Sequence, residues 1–404
     1  MLMSSPLVVF SHLRWDFVYQ RPQHLLSRIA RHRQVFFIEE PVQDIYYAPY
    51  LEITTPAPNV VVGRPHTPLN SWGFNDEQFP YVSKFVADLI EQQELTDYVV
   101  WLYTPMALPL AKTLHPRAVV FDVMDELSAF AGAPQEIKDL ETATLGMADV
   151  VFTGGPSLYR AKLGRHDNLH LFPSSVDAAH FAQARDIPEA PDQAGFAHPR
   201  LGFYGVIDER MDLGLIDFLA ASHPEWEIVM VGPVVKIDWN WLPKRPNLHF
   251  LGQRQYAELP AYLAGWDVCL LPFALNESTR FISPTKTLEY MAAELPIVST
   301  PITDVAETYG QIVYLGRTPE EFVAACEQAL AAPAEERERR ATQMREVLAH
   351  TSWDNTASAM EELIDKAVAK AVAQHTGIGS GTGIEAGTAN DSMQSSKVPI
   401  ATQH

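Results

Sequence analysis

Two cations and a glutamate stand close together within residues 276–302, NESTRFISPTKTLEYMAAELPIVSTPI, around what reads as the start of a short helix. Ser283 is expected to cap this helix and Pro284 to take its first position, where a missing N–H does no harm. The next backbone amides, those of Thr285 and Lys286, then remain free to bind a phosphate at the positive end of the helix dipole. The spacing therefore predicts an anion-binding site.

The charged side chains of this stretch fit a nucleotide ligand. Lys286 brings a mobile full charge and Arg280 a planar fork, and each charge-assisted hydrogen bond to a diphosphate contributes about 1.5–3 kcal/mol. Glu289 lies one turn further along the helix, and its carboxylate can accept hydrogen bonds from a pair of ribose hydroxyls. An ordinary capped helix with solvated side chains would show the same spacing, so the spacing alone leaves both interpretations open.

The composition limits the kind of partner. The chain has 404 residues, 47% of them hydrophobic, and a formal net charge of −20. This length suits two domains of ordinary size. The acidic balance argues against nucleic acid as a partner, because binding a phosphate backbone needs a basic face. An anionic ligand therefore needs local positive charge, such as Arg280 and Lys286 offer.

The cellular setting is predicted to be the cytoplasm, with peripheral contact to the inner membrane as a further possibility. Two cysteines cannot form a disulfide framework, which favours a reducing compartment. No apolar run approaches the roughly 20 residues of a membrane span. The start MLMSSPLVVF lacks the charged residues and long apolar core of a signal peptide, and we interpret SPLVVF as a buried first strand.

Short apolar runs alternate with amphipathic stretches along the whole chain, and this alternation predicts parallel sheets with helices on both faces. Seven strand candidates precede residue 176: LVVFS, QVFFIEE, NVVVG, DYVVWLY, AVVFDV, DVVFTGG and LHLFPS. Six more follow residue 199: RLGFYGV, EIVMVGP, NLHFLGQ, DVCLLPF, LPIVST and QIVYLG. The fold class is therefore α/β, with two doubly wound Rossmann-like domains that face a cleft. Ligands of such sheets bind at the carboxyl ends of the strands.

The breaks in this alternation predict the domain boundaries. Residues 1–185 form the first domain, the proline-containing stretch 186–199 is a linker, and residues 200–352 form the second domain. Apolar residues at helical spacing predict a helix over 353–374 that docks across the domain junction. The glycine- and serine-containing tail 375–404 shows almost no periodicity and is predicted to be disordered.

The stretch SPTKTLEYMAAELPIVSTPI resembles the donor-site segment of nucleotide-sugar glycosyltransferases with the two-domain GT-B fold, retaining family 4 in particular. Glu289 matches the second glutamate of that family's glutamate pair. The first glutamate, which contacts the donor sugar in the family, is replaced by Phe281. The resemblance then implies that sugar recognition passes to Asn276, Glu277 or Thr279.

Two further stretches resemble other parts of the donor domain. GFYGVIDERMDL, residues 202–213, is similar to the family's first strand and glycine-rich turn, which implies that Gly205 and Arg210 contact the diphosphate. HFLGQR stands where the family forms its base pocket, which implies that Gly252, Gln253 and Arg254 reach the base; a plain strand end is the alternative. The stretch FPSSVDAAHF resembles the signature that closes the first domain.

The N-terminal stretch FSHLRWDFVYQRPQHLLSRIARHRQVFFIEE resembles a bacterial polysaccharide-type subgroup of these enzymes. The loop after its first strand should face the cleft of a doubly wound sheet. Four of its residues are the predicted acceptor or phosphate contacts: His12, Arg14, Asp16 and Arg21. Solvated surface charges are the alternative.

Asp125 follows the strand candidate AVVFDV, where a carboxylate could orient or deprotonate an acceptor hydroxyl. It could equally cap the next helical turn. Arg28, Arg31 and Arg33 lie on or near an apolar helix and suggest contact with a membrane that carries a lipid-linked acceptor. A solvated helix face is the alternative.

The resemblance implies a glycosyltransferase that moves a sugar from a nucleoside diphosphate, UDP by preference, to a glycan or glycolipid acceptor with retention of configuration. Arg210, Arg280 and Lys286 would stabilise the leaving diphosphate. The resemblance implies no obligatory metal and no cofactor besides the donor. A UDP-sugar 2-epimerase and a non-catalytic nucleotide-sugar-binding protein stay as alternatives, because fold alone does not decide function.

Overall fold

The chain folds into two α/β domains, each built on a mainly parallel sheet, as the alternating pattern predicted. The computed structural model describes residues 4–44, 48–130 and 132–375. The carboxyl ends of the two sheets face one cleft, which residues of both domains line. Among the helices of the described ranges, none is long and apolar enough to cross a membrane.

The first domain contains a nine-stranded sheet. Its strands are β1 (Leu7–Ser11), β2 (Val35–Glu39), β3 (Val42–Gln43), β4 (Tyr50–Ala57), β5 (Val60–Thr67), β6 (Val99–Leu102), β7 (Ala118–Val123), β8 (Val150–Thr153) and β9 (Leu169–Leu171). Their order is β3-β5-β2-β1-β6-β7-β8-β9, and β4 pairs antiparallel with β5. All seven predicted strands are present. The sequence did not predict β3, which is very short, or β4, which is largely exposed and lacks a buried apolar run.

Helices cover both faces of this sheet. They are α1 (Arg21–Ile29), α2 (Phe79–Gln92), α3 (Leu108–Ala111), α4 (Ile137–Met147) and α5 (Pro156–Lys162). The central strand β1 is buried throughout. Its alternate residues enter different cores, Leu7 and Val9 on one face and Val8 and Phe10 on the other, because successive side chains of a strand point to opposite faces.

The second domain contains a six-stranded parallel sheet. Its strands are β10 (Arg200–Tyr204), β11 (Glu227–Val231), β12 (Leu248–Gly252), β13 (Val268–Leu271), β14 (Ile297–Ser299) and β15 (Tyr314–Leu315). Its helices are α6 (Ala178–Ala182), α7 (Leu213–Ser222), α8 (Leu259–Leu263), α9 (Thr285–Ala292), α10 (Thr303–Tyr309), α11 (Pro319–Ala331) and α12 (Ala334–Ala349). The order β12-β11-β10-β13-β14-β15 is that of a doubly wound Rossmann-like domain. All six predicted strands are present.

The predicted boundary between the domains is wrong. Val176, Phe181, Ala184 and Ala190 pack in the core of the second domain, although they precede its first strand. The stretch 186–199 is not a free linker either. Gln193 is buried and donates to the carbonyl oxygens of two residues in α8. The chain therefore joins the second domain before residue 176, because a few well-spaced apolar side chains suffice to dock it.

The C-terminal helix α13 (Trp353–His375) returns to the first domain and confirms the predicted crossing helix. Trp353, Met360 and Ile364 are buried in the first domain's core. The predicted disordered tail begins at residue 375, which ends this helix, and the rest of it, residues 376–404, lies outside the described residues.

The basic residues of the first domain's N-terminal region serve to dock α13. Arg28 and Arg31 donate to Asp354 at 3.0 and 2.6 Å. Arg33 is buried and donates to Glu361 at 3.2 Å. All three cations pair with carboxylates of α13, so the basic density that suggested membrane contact has a structural role.

Candidate active site

The cleft between the domains has a volume of about 300 Å³. The first domain contributes residues 15–21, Met124, Asp125, Gly154 and Ser174 to its wall. Most of the second domain's contribution comes from strand ends and the loops that follow them, including Tyr204, Gly205, Arg210, Gln253, Arg254, Tyr256, residues 282–286 and Glu289. The cleft thus lies at the carboxyl ends of both sheets, where ligands of doubly wound sheets bind.

The start of α9 lines the cleft, where the anion site was predicted, but it lacks the predicted cap. Pro284 is the N-cap residue, with extended backbone at φ −67° and ψ 121°, and no side chain caps the helix. The prediction that Ser283 caps the helix is therefore wrong by one residue. The first N–H groups of a helix have no acceptor within it. Those of Thr285 and Lys286 line the cleft and can bind an anion.

Lys286 is the cation most clearly available to a ligand. Its amine makes no hydrogen bond or ion pair with any described residue, and it lies 6.0 Å from the ring centroid of Phe203. Burial lowers the pKa of this amine, and Glu289 opposes that shift. A Cβ atom on Gly205, whose φ is +141°, would collide with the Lys286 side chain. The absence of a side chain at Gly205 therefore leaves room for the side chain of Lys286 in the cleft.

Glu289 is held in place by a residue that the sequence analysis missed. The hydroxyl of Tyr204 donates to Glu289 Oε2 at 2.7 Å, and both side chains are buried. Burial raises the pKa of the Glu289 carboxyl, while Lys286 and the Tyr204 hydrogen bond lower it. The bond orients the carboxylate and leaves Oε1 for a ligand. Tyr204 directly precedes Gly205, so the motif GFYGV was the available signal.

Arg210 and Asp125 face each other across the cleft. Arg210 is paired with Asp208 through bonds of 3.0 and 2.7 Å. Asp125 has no hydrogen-bond or ion-pair partner among the residues that the structure describes. Burial raises the pKa of its carboxyl, and nearby Arg210 opposes that rise. The Asp125 carboxylate is thus available to accept a hydrogen bond within the cleft, whereas the charge of Arg210 is partly balanced by Asp208.

The predicted base pocket lies at the other end of the cleft. Gln253 and Arg254 line it, while Gly252, with φ +76°, shapes the turn before them and lies outside the wall. Gln253 donates to the carbonyl oxygen of Phe17 in the first domain. The rings of Tyr19 and Tyr256, 4.7 Å apart, bridge the domains at this end, and neither was predicted.

Two predicted donor contacts lie outside the cleft wall. Arg280 has 61% of its side chain exposed, stacks on Phe281 at 5.1 Å and pairs weakly with Glu277 at 3.5 Å. The side chain of Asn276 accepts from the backbone N–H groups of Ser278 and Thr279 and caps a single helical turn. Both residues shape the loop before α9, and neither lines the cleft.

In the loop after β1, the two arginines predicted to contact the acceptor instead pair with carboxylates of the first domain. Arg14 donates to Glu39 at 3.1 Å and lies outside the cleft wall. Arg21 reaches the wall but forms a buried two-bond pair with Asp122, at 3.1 and 2.9 Å.

The other two residues of the predicted acceptor set also differ from each other. Asp16 lines the cleft and pairs with Arg64 at 2.9 Å. His12 lies behind the wall, where burial, helped by Lys236, lowers its pKa to about 4. Only two of the four predicted residues therefore reach the cleft, and both have partners.

Comparisons with known proteins agree with this geometry. Residues 198–332 match the family model described as glycosyl transferases group 1. A putative teichuronic acid biosynthesis glycosyltransferase, TuaH, from Bacillus subtilis is 26% identical over 274 residues, which cover 62% of this chain and 68% of the relative.

Solved structures agree over nearly the whole chain. A sucrose-phosphate synthase from Thermosynechococcus elongatus superposes with a TM-score of 0.73 at 16% identity, covering 91% of this chain and all of that one. An E. coli structure described as trehalose-6-phosphate bound with UDP-2-fluoro glucose gives 0.67 at 14% identity, covering 89% and 99%. At these identities the superpositions establish the fold.

The two doubly wound domains and the cleft between them define a GT-B fold. The match of residues 198–332 to the glycosyl transferases group 1 family and the similarity to the Bacillus relative together indicate a glycosyltransferase.

Proposed function

We propose that this enzyme transfers a sugar from UDP to a hydroxyl of a glycan or glycolipid, with retention of configuration and without an obligatory metal. The observation that carries the proposal is the unpartnered amine of Lys286 beside the free amides of Thr285 and Lys286 itself. Lys286 is partly buried, and a cation withdrawn from solvent without an acidic partner is rare in proteins. In this acidic chain, a diphosphate is the ligand that such a site fits best.

The geometry accounts for bond cleavage. As the bond between the sugar and the diphosphate breaks, negative charge grows on the leaving phosphate. Lys286, Arg210 and the start of α9 lie where they can stabilise that charge, and preorganised groups of this kind are usually the largest catalytic contribution. Glu289, oriented by Tyr204, binds the ribose. Asp125 orients the acceptor hydroxyl on the opposite wall.

The relatives support the donor and the pathway class. The E. coli structure is described with a bound UDP-sugar analogue, and the Bacillus relative is named for the biosynthesis of a cell-wall polysaccharide. Retention rests on the resemblance of the stretch from Ser283 to Ile302 to retaining family 4.

A thermal-shift screen of UDP, UDP-glucose, UDP-galactose, UDP-N-acetylglucosamine and GDP-mannose tests the donor. A ligand that binds only the folded state raises the melting temperature. UDP release from the best donor is then measured with and without glycan acceptors. Transfer releases UDP together with a glycosylated product. A new UDP-sugar would identify an epimerase instead, and binding without turnover would identify a sensor.

A further inference from the structure

The loop that leads into α9 also joins the two domains. Its neighbouring side chains Phe281 and Ile282 pack into different domains: Phe281 lies against a hydrophobic core of the first domain, whereas Ile282 is buried in the core of the second. A loop of the second domain thus reaches across the junction. Because Ile282 anchors the loop in its own domain, we expect the loop and α9 to keep their place if the first domain moves away.

A buried hydrogen bond ties the two domains together as well. Asp304, in the first turn of α10, is buried, and its Oδ1 accepts from the backbone N–H of Ser157 in α5 at 3.0 Å. The next residue of each helix is held in its own domain, since Leu158 is buried in a core of the first domain and Val305 in the core of the second. The bond therefore connects two separately packed cores.

Gly155, which precedes α5, is the point of closest approach at this contact. A Cβ atom added there would lie 2.9 Å from Cβ of Ser283 and still closer to Oδ2 of Asp304. Both of these neighbours belong to the second domain. Ser283 lines the cleft, and so does Gly154, which directly precedes Gly155. The two domains therefore touch immediately beside the candidate active site, and the contact leaves no room for a larger residue at this position.

We propose that Asp304 and Phe281 are positioning residues, which hold the first domain's wall of the cleft at the correct distance from the second domain's wall. Asp125 and Lys286 lie on opposite walls, so the distance between them is set where the domains touch. Asp304 and Phe281 lie outside the cleft wall, so they act through the position of the walls and not by contact with a ligand. The inference rests on the proposed function and adds the contact that assembles its site.

The first test forces the contact apart without removing any group. Gly155→Ala adds a methyl group that fits only if the domains separate, and the extended backbone of this residue, with φ −166°, suits alanine. Gly146→Ala is the matched control, because a Cβ atom there meets nothing within 4 Å. Small-angle X-ray scattering of the full chain should give a larger radius of gyration for Gly155→Ala than for the wild type and for Gly146→Ala.

The same variants separate positioning from binding. In Gly155→Ala, kcat for UDP release from the best donor of the thermal-shift screen should fall about tenfold to 100-fold, the effect of displacing reacting groups by about 1 Å. The dissociation constant for UDP, measured by calorimetry, should stay within about twofold, because sites without shared partners act independently. Lys286 and Glu289 belong to α9, whose apolar residues pack in the second domain's core. Gly146→Ala should match the wild type in both measurements.

The second test removes the hydrogen bond between the domains. Asp304→Ala should lower kcat and leave the affinity for UDP nearly unchanged. Asp304→Asn keeps an oxygen that can accept from the Ser157 N–H, so it should recover most of the lost activity. The exposed pair of Arg160 and Glu307, 2.7 Å apart, also joins α5 to α10 and remains in both variants. Exposed ion pairs contribute little to stability, so it should not replace the buried bond.

Four outcomes would overturn the inference. They are a wild-type radius of gyration in Gly155→Ala, a larger radius with an unchanged kcat, an Asp304→Asn variant as inactive as Asp304→Ala, and a loss of UDP affinity as large as the loss of kcat. The last would assign these residues to the stability of the donor site. A wild type that neither binds UDP nor releases it from any donor would remove the proposed function itself, whereas wild-type turnover with any of the four outcomes would remove only the positioning role.

Discussion

The two walls of the cleft use their cations in opposite ways. In the first domain, Arg21 is buried in a two-bond pair with Asp122 and also donates to the carbonyl oxygen of Phe172 at 2.8 Å. In the second domain, Lys286 is partly buried and has no such partner among the residues that the structure describes. Both stand in the first turn of a helix, within two residues of a proline. A cation near a cleft therefore indicates a ligand site only when no acidic side chain pairs with it. A paired cation stabilises the structure, whereas an unpaired one can bind a ligand.

The largest expected effect is a loss of stability on removing Arg21 from the first domain's wall of the cleft. Arg21→Ala leaves the carboxylate of Asp122 buried without its charged partner, and removing one member of such a pair typically costs about 3–5 kcal/mol. We expect the free energy of unfolding to fall by that amount, measured by urea denaturation. Arg117→Ala, which breaks the half-exposed pair with Asp97, is the control and should change it by less than about 1 kcal/mol. Equal losses of stability in the two variants would contradict the conclusion that the buried Arg21 pair stabilises the first domain.

A second prediction concerns His24, which joins the first domain to the crossing helix. Its ring stacks on Trp353 at 4.8 Å, and burial, helped by Arg28, lowers its pKa to about 3. Between pH 6.5 and that value the unfolded chain binds a proton that the folded chain excludes, so stability falls as the pH falls.

From pH 6.5 to 4.5 the wild type should lose about 2–3 kcal/mol more than His24→Phe, which keeps an aromatic ring there. Urea denaturation of both proteins at the two pH values measures this difference. If the two proteins lose stability in parallel, His24 is not the group responsible.

The sequence predicted what depends on local pattern. Buried strands are continuous apolar runs, and the helix start near Lys286 is encoded within a few residues, so both were predicted. Whether a cation has a partner depends on distant residues: Glu39 lies 25 positions from Arg14, and Asp122 lies 101 from Arg21. The packing of Phe181 into the second domain was missed for the same reason. No local signal distinguishes a residue that joins the next domain's core from one in a linker.

A third prediction concerns Lys286, on the second domain's wall of the cleft. Lys286→Ala removes the unpartnered amine from the phosphate site, and we expect kcat/KM for the nucleotide sugar to fall about 100-fold, as for the loss of one preorganised group at a developing charge. The melting temperature without ligand should stay unchanged or rise, because the partly buried amine has no acidic partner among the described residues. Arg280→Ala, six residues earlier in the loop before α9, removes an exposed cation and should alter kcat/KM less than twofold. A larger effect of Arg280→Ala would show that the loop moves to bring this arginine to the diphosphate.

The smallest expected effect concerns the positioning of Glu289 by Tyr204. Tyr204→Phe keeps the buried ring but removes the hydrogen bond to Oε2, which is worth about 1–1.5 kcal/mol, so KM for the donor should rise about fivefold to tenfold while kcat stays near the wild-type value. A general loss of structure would lower kcat and the melting temperature together, whereas a positioning role shifts KM alone. Isothermal titration calorimetry with UDP and with uridine distinguishes a positioning role of Tyr204 from a packing role. Both ligands carry the ribose, so both should bind more weakly if Tyr204 acts through Glu289, and an unchanged affinity for both would assign Tyr204 to packing.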